Sequence, residues 1–100
     1  MKVIRVPISK VKLWEENPRE ASPQDLERLK QQIVKLGVYK PLLAFKDGEE
    51  YIVLGGNQRL KAYRELEHEK VDLVVVKATT QADRIEFVIS DNDEAGHYDP

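Results

Sequence analysis

The segment Gly55-Gly56-Asn57-Gln58-Arg59 combines residue types that together suit a bound anion. It separates an apolar stretch, Tyr51 to Leu54, from a stretch of helical periodicity, Leu60 to Leu66. Two glycines let a ligand approach the backbone, and a helix beginning there directs free N–H groups and its positive dipole end to the same place. The guanidinium of Arg59 can hold two phosphate oxygens at once. The segment predicts either a phosphate site or an ordinary tight turn, since paired glycines are common in turns.

Carboxylate and amide side chains near the C-terminal end form a second candidate group. Asp91 and Asn92 offer oxygen ligands of the kind that magnesium prefers, with Asp91 as the metal ligand, or an acceptor for a substrate hydroxyl. Asp91 and Asp93 are the candidate catalytic bases, and Glu94 is a third. If the fold brings them beside the glycine turn, a phosphate and its metal have both halves of a site. The alternative is that Asp91 and Asn92 only end a helix.

Two further positions are candidates for contact with a nucleotide base. Lys40 and Pro41 follow Tyr39 at the entry to a predicted strand. They can line a pocket for a base, or they are ordinary loop residues. Trp14 is interpreted as a core residue and not as a stacking platform.

Missing residue types exclude several kinds of chemistry. The chain has no cysteine, which excludes disulfides, thiolate catalysis and cysteine-bound zinc. His68 and His97 are far apart without a histidine neighbour, so no zinc is expected. No Walker-type phosphate loop is present. No apolar run has the length of a membrane span and the N-terminus lacks a signal-peptide core, so we expect a cytoplasmic protein without membrane contact.

The composition is that of one globular domain, residues 1–100, with 41% apolar and 34% charged residues. The net charge of −2 does not favour a protein that binds nucleic acid through charge alone. Lys and Arg are concentrated in the first two thirds of the chain, and Asp and Glu in the last third. This asymmetry indicates an anion site in the first part or a solvated acidic helix at the end.

The elements that must position these residues begin with a strand and a helix. Val3 to Ile8 alternates like a strand, and Pro7 places that part of it at a sheet edge or at a strand end. Residues 9–21 are predicted to be a connection. The start signal Ser22-Pro23-Gln24-Asp25 and the stop at Gly37 predict the first helix. Its predicted inner face consists of Leu26, Leu29, Ile33 and Leu36.

A hairpin, a second helix and a buried strand are predicted next. Pro41 to Phe45 and Glu50 to Leu54 flank the turn signal Asp47-Gly48. The second helix follows the glycines and ends at about Glu67. Val71 to Val76 is a short apolar strand of the kind that is covered on both faces.

A third helix completes the predicted fold. Thr80 and Asp83 repeat the capping pattern, and a polar, acidic exit follows from Asp91 to Asp99. Strands and helices are intermixed with at least one hairpin, which predicts an α+β class. The predicted inner face of this helix consists of Ala82, Ile85, Val88 and Ile89.

Four segments of the chain together match a known pattern in order and in register. They are Trp14 with Asn17-Pro18-Arg19, Gly37 to Leu42, Leu54 to Ala62, and Asp91-Asn92 followed by Gly96-His97-Tyr98-Asp99. These segments resemble the ParB/sulfiredoxin superfamily, in particular its short ParB-like domains (once called ParB-like nuclease domains) from phages and mobile elements. The resemblance covers nearly the whole chain and implies one small mixed sheet with three to four helices.

The resemblance implies a nucleotide site at the glycine turn. Chromosome-partitioning members of the superfamily carry Gly-Glu-Arg-Arg there and bind the phosphates of CTP. This chain keeps the glycine, Gly56, and the last arginine, Arg59, but Asn57 and Gln58 replace the glutamate and the first arginine. Amides carry no charge and cannot act as a base, so weaker binding is expected. The nucleotide-binding set is predicted to be Gly55, Gly56, Asn57, Gln58, Arg59, Asn92, Pro41 and Lys40.

Other positions carry over from the same resemblance. Asp91 and Asn92 are similar to a Glu-Asn pair that helps hold metal and nucleotide, and Gly37 to Pro41 is similar to a segment of the base pocket. Sulfiredoxins need a cysteine where Asn57 stands, which excludes their sulfinic-acid reductase chemistry. The implied ligands are Mg²⁺ and a nucleoside triphosphate, CTP or ATP.

The resemblance also indicates which partners to expect. The helix-turn-helix domain with which partitioning proteins read DNA is missing from this length, so DNA contact is expected through a partner or a further domain. A homodimer is a further expectation. The chain is read as a ParB-like N-terminal domain, complete or cut from a longer protein.

Three functions stay open at this point. The leading one is a domain that binds a nucleotide or other phosphate ligand in partitioning, DNA modification or phage DNA metabolism. The second is a non-catalytic protein or DNA adaptor that kept the fold. The third is a magnesium-dependent nuclease or nucleotide hydrolase, and whether the chain is an enzyme is left undecided.

Overall fold

The structure, a computed structural model, describes residues 2–16, 22–37 and 40–96, with the backbone alone for 91–96. Five strands and three α-helices alternate along the chain. The strands are β1 (Val3–Pro7), β2 (Val11–Leu13), β3 (Leu42–Asp47), β4 (Glu50–Val53) and β5 (Lys70–Val76). The helices are α1 (Pro23–Leu36), α2 (Asn57–Glu65) and α3 (Gln81–Gly96), and a 3-10 turn (Ile8–Lys10) joins β1 to β2.

The strands form one mixed sheet in the order β1-β5-β3-β4-β2. β1 is antiparallel to β5, and β3 is antiparallel to β4 across the predicted hairpin. The β3–β5 and β2–β4 pairs are parallel. β1 lies at an edge, as Pro7 predicts, and this arrangement confirms the α+β class.

Each face of the sheet carries its own hydrophobic cluster. On one face, α1 and α2 bury Ile33, Leu60 and Tyr63 against the inward side chains of the strands. On the other face, Trp14 and Val88 of α3 pack on Phe45, Leu54 and Val76. The predicted burial of β5 on both faces is confirmed, because its alternate residues belong to the two clusters.

The first helix begins and ends where the sequence signals predict. The Asp25 N–H donates to Ser22 Oγ at 3.1 Å, which caps α1. Gly37 then takes φ 77° and ψ −173°, a conformation that only glycine adopts readily. The predicted inner face was wrong at Leu36, which is exposed, because the helix turns this last position away from the sheet.

The connection predicted for residues 9–21 contains a strand that the sequence did not reveal. Val11–Leu13 is only three residues long, too short for a clear alternating pattern, and it pairs in parallel with Tyr51–Val53 of β4. The guanidinium of Arg64 in α2 donates to the Val11 carbonyl at 2.6 Å. This bond ties the edge strand to the helix above it.

The third helix differs from its prediction in face and length. The predicted cap is confirmed, because the Asp83 N–H donates to Thr80 Oγ1 at 3.1 Å. Val88 is buried, but the rest of the predicted inner face was wrong: Ala82, Ile85 and Ile89 are exposed. Arg84 faces the sheet instead and stacks 4.1 Å over the Phe45 ring. The predicted polar exit is helical as far as Gly96.

No helix in residues 2–16, 22–37 and 40–96 is long and apolar enough to cross a membrane.

The buried phenol of Tyr63 gives a test of the core. The residue is 1% exposed, and its hydroxyl has no hydrogen-bond partner among the described residues. We predict that Tyr63→Phe raises the free energy of unfolding by roughly 1 kcal/mol, because a desolvated hydroxyl without a partner is removed. Urea unfolding would measure the change, with Tyr51→Phe at a half-buried tyrosine as control. A fall in stability for Tyr63→Phe alone would contradict this account.

Candidate functional site

The glycine turn joins the end of β4 to the start of α2. Leu54 continues the sheet for one residue beyond β4, since its N–H donates to the Leu43 carbonyl at 2.7 Å. Gly55 then takes φ 82°, in the left-handed region that favours glycine. Gly56 caps α2 with φ −113°, which any residue can adopt. Backbone conformation therefore explains why position 55 is a glycine but not why position 56 is one.

Gly56 is required by packing. A Cβ at this position would lie 2.8 Å from Leu42 Cδ2 and 3.1 Å from Val53 Cγ1, well inside van der Waals contact. Both neighbouring side chains are buried, at 2% and 0% exposure, so neither has free space into which to move. The bare glycine lets the first turn of α2 rest directly on the sheet.

The N-terminus of α2 has backbone donors without an intrahelical acceptor. Its first intrahelical hydrogen bond runs from the Leu60 N–H to the Gly56 carbonyl at 3.0 Å. The N–H groups of Asn57, Gln58 and Arg59 precede that bond and have no acceptor within the helix. No side chain caps the helix, and its first turn holds no acidic residue. The partial positive charge of the helix end is therefore not neutralised from within.

The side chain of Asn57 is held by a contact within the protein. Its Nδ2 donates to the backbone carbonyl of Trp14 at 3.2 Å, and its Oδ1 is buried without a hydrogen-bond partner in the described part of the chain. The bond joins the start of α2 to the residue after β2. No pattern in the sequence predicts this contact, because the partners are 43 positions apart and nothing marks a carbonyl as an acceptor.

The remaining residues of the predicted turn are half-buried. Gln58 and Arg59 occupy the first turn of α2 beside Asn57, and both are partly accessible. Lys40 and Pro41 are also half-buried and directly precede Leu42, the residue that underlies Gly56. The packing of Leu42 under Gly56 brings the start of β3 to the glycine turn, and a role of Lys40 and Pro41 in a base pocket stays a prediction.

The acidic candidates lie on a different element. Asp91, Asn92 and Asp93 belong to α3, and their side chains lie outside the described residues. No group of three or more His, Cys, Asp or Glu side chains in metal-binding arrangement occurs among those that are described. That Asp91, Asn92 and Asp93 approach the glycine turn stays a prediction.

Two other positions from the sequence analysis have definite places. His68 packs its ring 5.2 Å from that of Tyr63, at the end of α2. Trp14 is a buried core residue at 6% exposure, as predicted. The motif residues Asn17-Pro18-Arg19, Val38-Tyr39 and His97-Tyr98-Asp99 lie outside the described part of the chain.

The mixed sheet, its three helices and the strand-to-helix glycine turn define a class of small α+β domains. The family model described as ParB N-terminal domain matches residues 1–92, so the chain belongs to the ParB N-terminal domain family. No curated protein matches the chain in sequence.

Solved structures agree with this fold. The chromosome-partitioning protein ParB from Caulobacter crescentus, C-terminally truncated and complexed with CTP-gamma-S, superposes with a TM-score of 0.85 at 23% identity. The match covers 94% of this chain and 54% of that one, so the chain spans about half of the partitioning protein's length. The same protein complexed to the centromeric parS site gives 0.72 at 22% identity, covering 89% and 46%. Sulfiredoxin from Arabidopsis thaliana gives 0.69 at 18% identity, covering 85% and 96%.

The packing of Gly56 gives a second prediction. Gly56→Ala should lower the free energy of unfolding by about 1–3 kcal/mol, because the new methyl overlaps Leu42 and Val53. Gly48→Ala is the contrasting variant, since its Cβ would meet no atom within 4 Å and only its positive φ opposes the change. Chemical denaturation of both variants measures the difference. Equal stability of Gly56→Ala and wild type would show that the turn does not rest on the sheet.

Proposed function

We propose that this domain binds a nucleoside triphosphate, CTP or ATP, at the Gly55–Arg59 turn. The start of α2 carries the proposal: its first N–H groups have no acceptor within the helix, no capping hydrogen bond is found among the described residues, and the two preceding residues are glycines. Backbone N–H groups with an aligned helix dipole are a recurrent way to hold phosphate. The ParB fold, seen with CTP-gamma-S in a relative, supports a nucleotide as the phosphate compound.

Arg59 is proposed as the main cationic contact within the turn. A charge-assisted, bidentate guanidinium contact is stronger than a bond between neutral groups. Asn57 and Gln58 beside it are uncharged, so the turn offers one side-chain cation to three phosphates. The proposed site therefore relies mainly on backbone N–H groups, and modest affinity is expected.

The base and the metal are assigned to the flanking elements. Lys40 and Pro41 are proposed to line the base pocket, because they precede the residue on which the turn rests. Asp91, and Asn92 beside it, are proposed to approach Mg²⁺ or the sugar from α3. Oxygen donors of these two types suit magnesium, which is usually held by few protein ligands together with substrate phosphates.

A DNA-related process is the proposed setting, with partitioning, modification or phage DNA metabolism as its specific forms. Support comes from the family and from the complex of a relative with the centromeric parS site. Contact with DNA is proposed to require a partner or a further domain, and a second copy of the chain is a proposed partner as well.

A non-catalytic adaptor is the second candidate function. One observation favours it: the side chain of Asn57 is used inside the protein, in a bond to the Trp14 carbonyl. A turn whose Asn57 side chain is bonded within the protein has one fewer group for a ligand. Hydrolysis or nuclease activity has no comparable support, because no observation on the described residues identifies a base at the turn.

Removal of the Arg59 guanidinium tests the proposed site. Titration with CTP and with ATP, each with and without Mg²⁺, should show binding to wild type and about 10- to 100-fold weaker binding to Arg59→Ala, the range expected for a hydrogen bond to a charged group. Arg28→Ala is the matched control, since Arg28 is exposed on α1. Absence of binding to wild type at millimolar nucleotide would reject the site and leave the adaptor. Equal loss in both variants would indicate a non-specific charge effect.

The proposed metal contact has its own test. Asp91→Asn should weaken nucleotide binding in the presence of Mg²⁺ and leave binding without Mg²⁺ unchanged, because only the metal needs the carboxylate. Asp83→Asn is unsuitable as a control, since Asp83 is half-buried in the first turn of α3. Glu86→Gln at an exposed position of the same helix is the matched control. Calorimetric titration at both conditions measures the difference. An identical Mg²⁺ effect in Asp91→Asn and wild type would remove Asp91 from the site.

A further inference from the structure

The hydrogen bond between Asn57 and Trp14 requires a donor on the side chain at position 57, which restricts the residue types that fit there. The Trp14 carbonyl only accepts hydrogen bonds, so the group that faces it at 3.2 Å must be the Nδ2 donor. An aspartate has the same shape but offers only acceptors when ionised. Two acceptors facing each other in a partly buried place repel and leave both unsatisfied.

The bond also lies where it can fix the position of the chain after β2 relative to α2. It connects the first residue of α2 to the residue that follows β2, which are otherwise separated by 43 positions. Beyond Trp14 the chain leaves the sheet, since β2 ends at Leu13. The indole of Trp14 is buried in the cluster beneath α3, so the position of this backbone also sets the packing on that face of the sheet.

We propose that Asn57 is a positioning residue: its amide fixes the chain after β2 against the first turn of α2, and only its backbone N–H is left for a ligand. One part of this inference rests on the proposed function, namely that the backbone N–H of Asn57 is used by a ligand. The positioning role itself rests only on the geometry of the hydrogen bond. The amide at position 57 accordingly serves as a hydrogen-bond donor. The absence of charge there follows from that role.

Trp14 is the only tryptophan of the chain, which makes its fluorescence a direct reporter of the bond. Asn57→Asp and Asn57→Ala should both shift its emission to longer wavelength and increase acrylamide quenching, because the backbone that holds the indole is released. Asn57→Asp should show the larger effect and lower Tm by at least about 4 °C, the scale of a 1 kcal/mol loss in a domain of this size. These measurements use no nucleotide, so their failure is distinct from failure of the proposed function.

Gln58→Glu is the matched control for charge. It converts the neighbouring amide of the same helical turn to a carboxylate and has the same interaction with the helix dipole. Its Trp14 emission and Tm should stay close to wild type. Wild-type emission in Asn57→Asp, or an equal shift in Gln58→Glu, would overturn the proposal.

A measurement on the wild-type protein covers the case in which a variant does not fold. One Nδ2 proton of Asn57 should exchange with solvent more slowly than the side-chain amide protons of the exposed Gln24 and Gln31, because it is held by the Trp14 carbonyl. Side-chain amide NMR spectra in D2O would show this. Exchange of Asn57 at the rate of the exposed glutamines would also overturn the proposal.

Discussion

The direct contact between the start of α2 and the sheet is the constraint on which the site depends. Gly56 has no side chain, so the helix rests on Leu42 and Val53 at a separation that a single methyl group would prevent. That contact places the first turn of α2 against the beginning of β3. Leu60 and Tyr63 of the same helix are buried in the core. Glycine at this position therefore serves the fold, and the ligand approach that it permits is a consequence of the same packing.

The turn is attached to a sheet that is covered by helices on both faces. β3 and β5 lie in the middle of the sheet, with α1 and α2 on one face and α3 on the other. Helices α1 and α2 are joined at the surface by Lys30, whose hydrogen bond to Glu65 at 3.0 Å raises the pKa of the lysine. Arg64 holds the edge strand β2 from the same side. A nucleotide at the turn would thus meet a preorganised backbone, which lowers the entropic cost of binding.

The amides at Asn57 and Gln58 are not equivalent. Asn57 has a hydrogen-bond partner within the protein, whereas no hydrogen bond of the half-buried Gln58 side chain is found among the described residues. The lack of charge at these two neighbouring positions of the turn can thus have separate causes. At position 57 the protein needs a donor for a backbone carbonyl. The structure gives no such reason for the amide at position 58.

The amino-acid sequence by itself determined the local elements and their order. The hydroxyl caps of Ser22 and Thr80 indicate two helix starts, Gly37 indicates a helix end, and Gly48 indicates the hairpin turn. These signals can be read from the sequence because each structure depends on residues only a few positions apart. The same local logic identified the Gly55–Arg59 turn.

Only the tertiary structure decided which side chains meet. The strand β2 forms because β4 and Arg64 are there to pair with it, and α3 buries Arg84 over Phe45 where periodicity favoured Ile85 and Ile89. The packing of Gly56 on Leu42 and the bond from Asn57 to Trp14 join parts of the chain that are distant in sequence. Such contacts depend on the summed geometry of the whole sheet. A pattern of neighbouring residues does not contain that geometry.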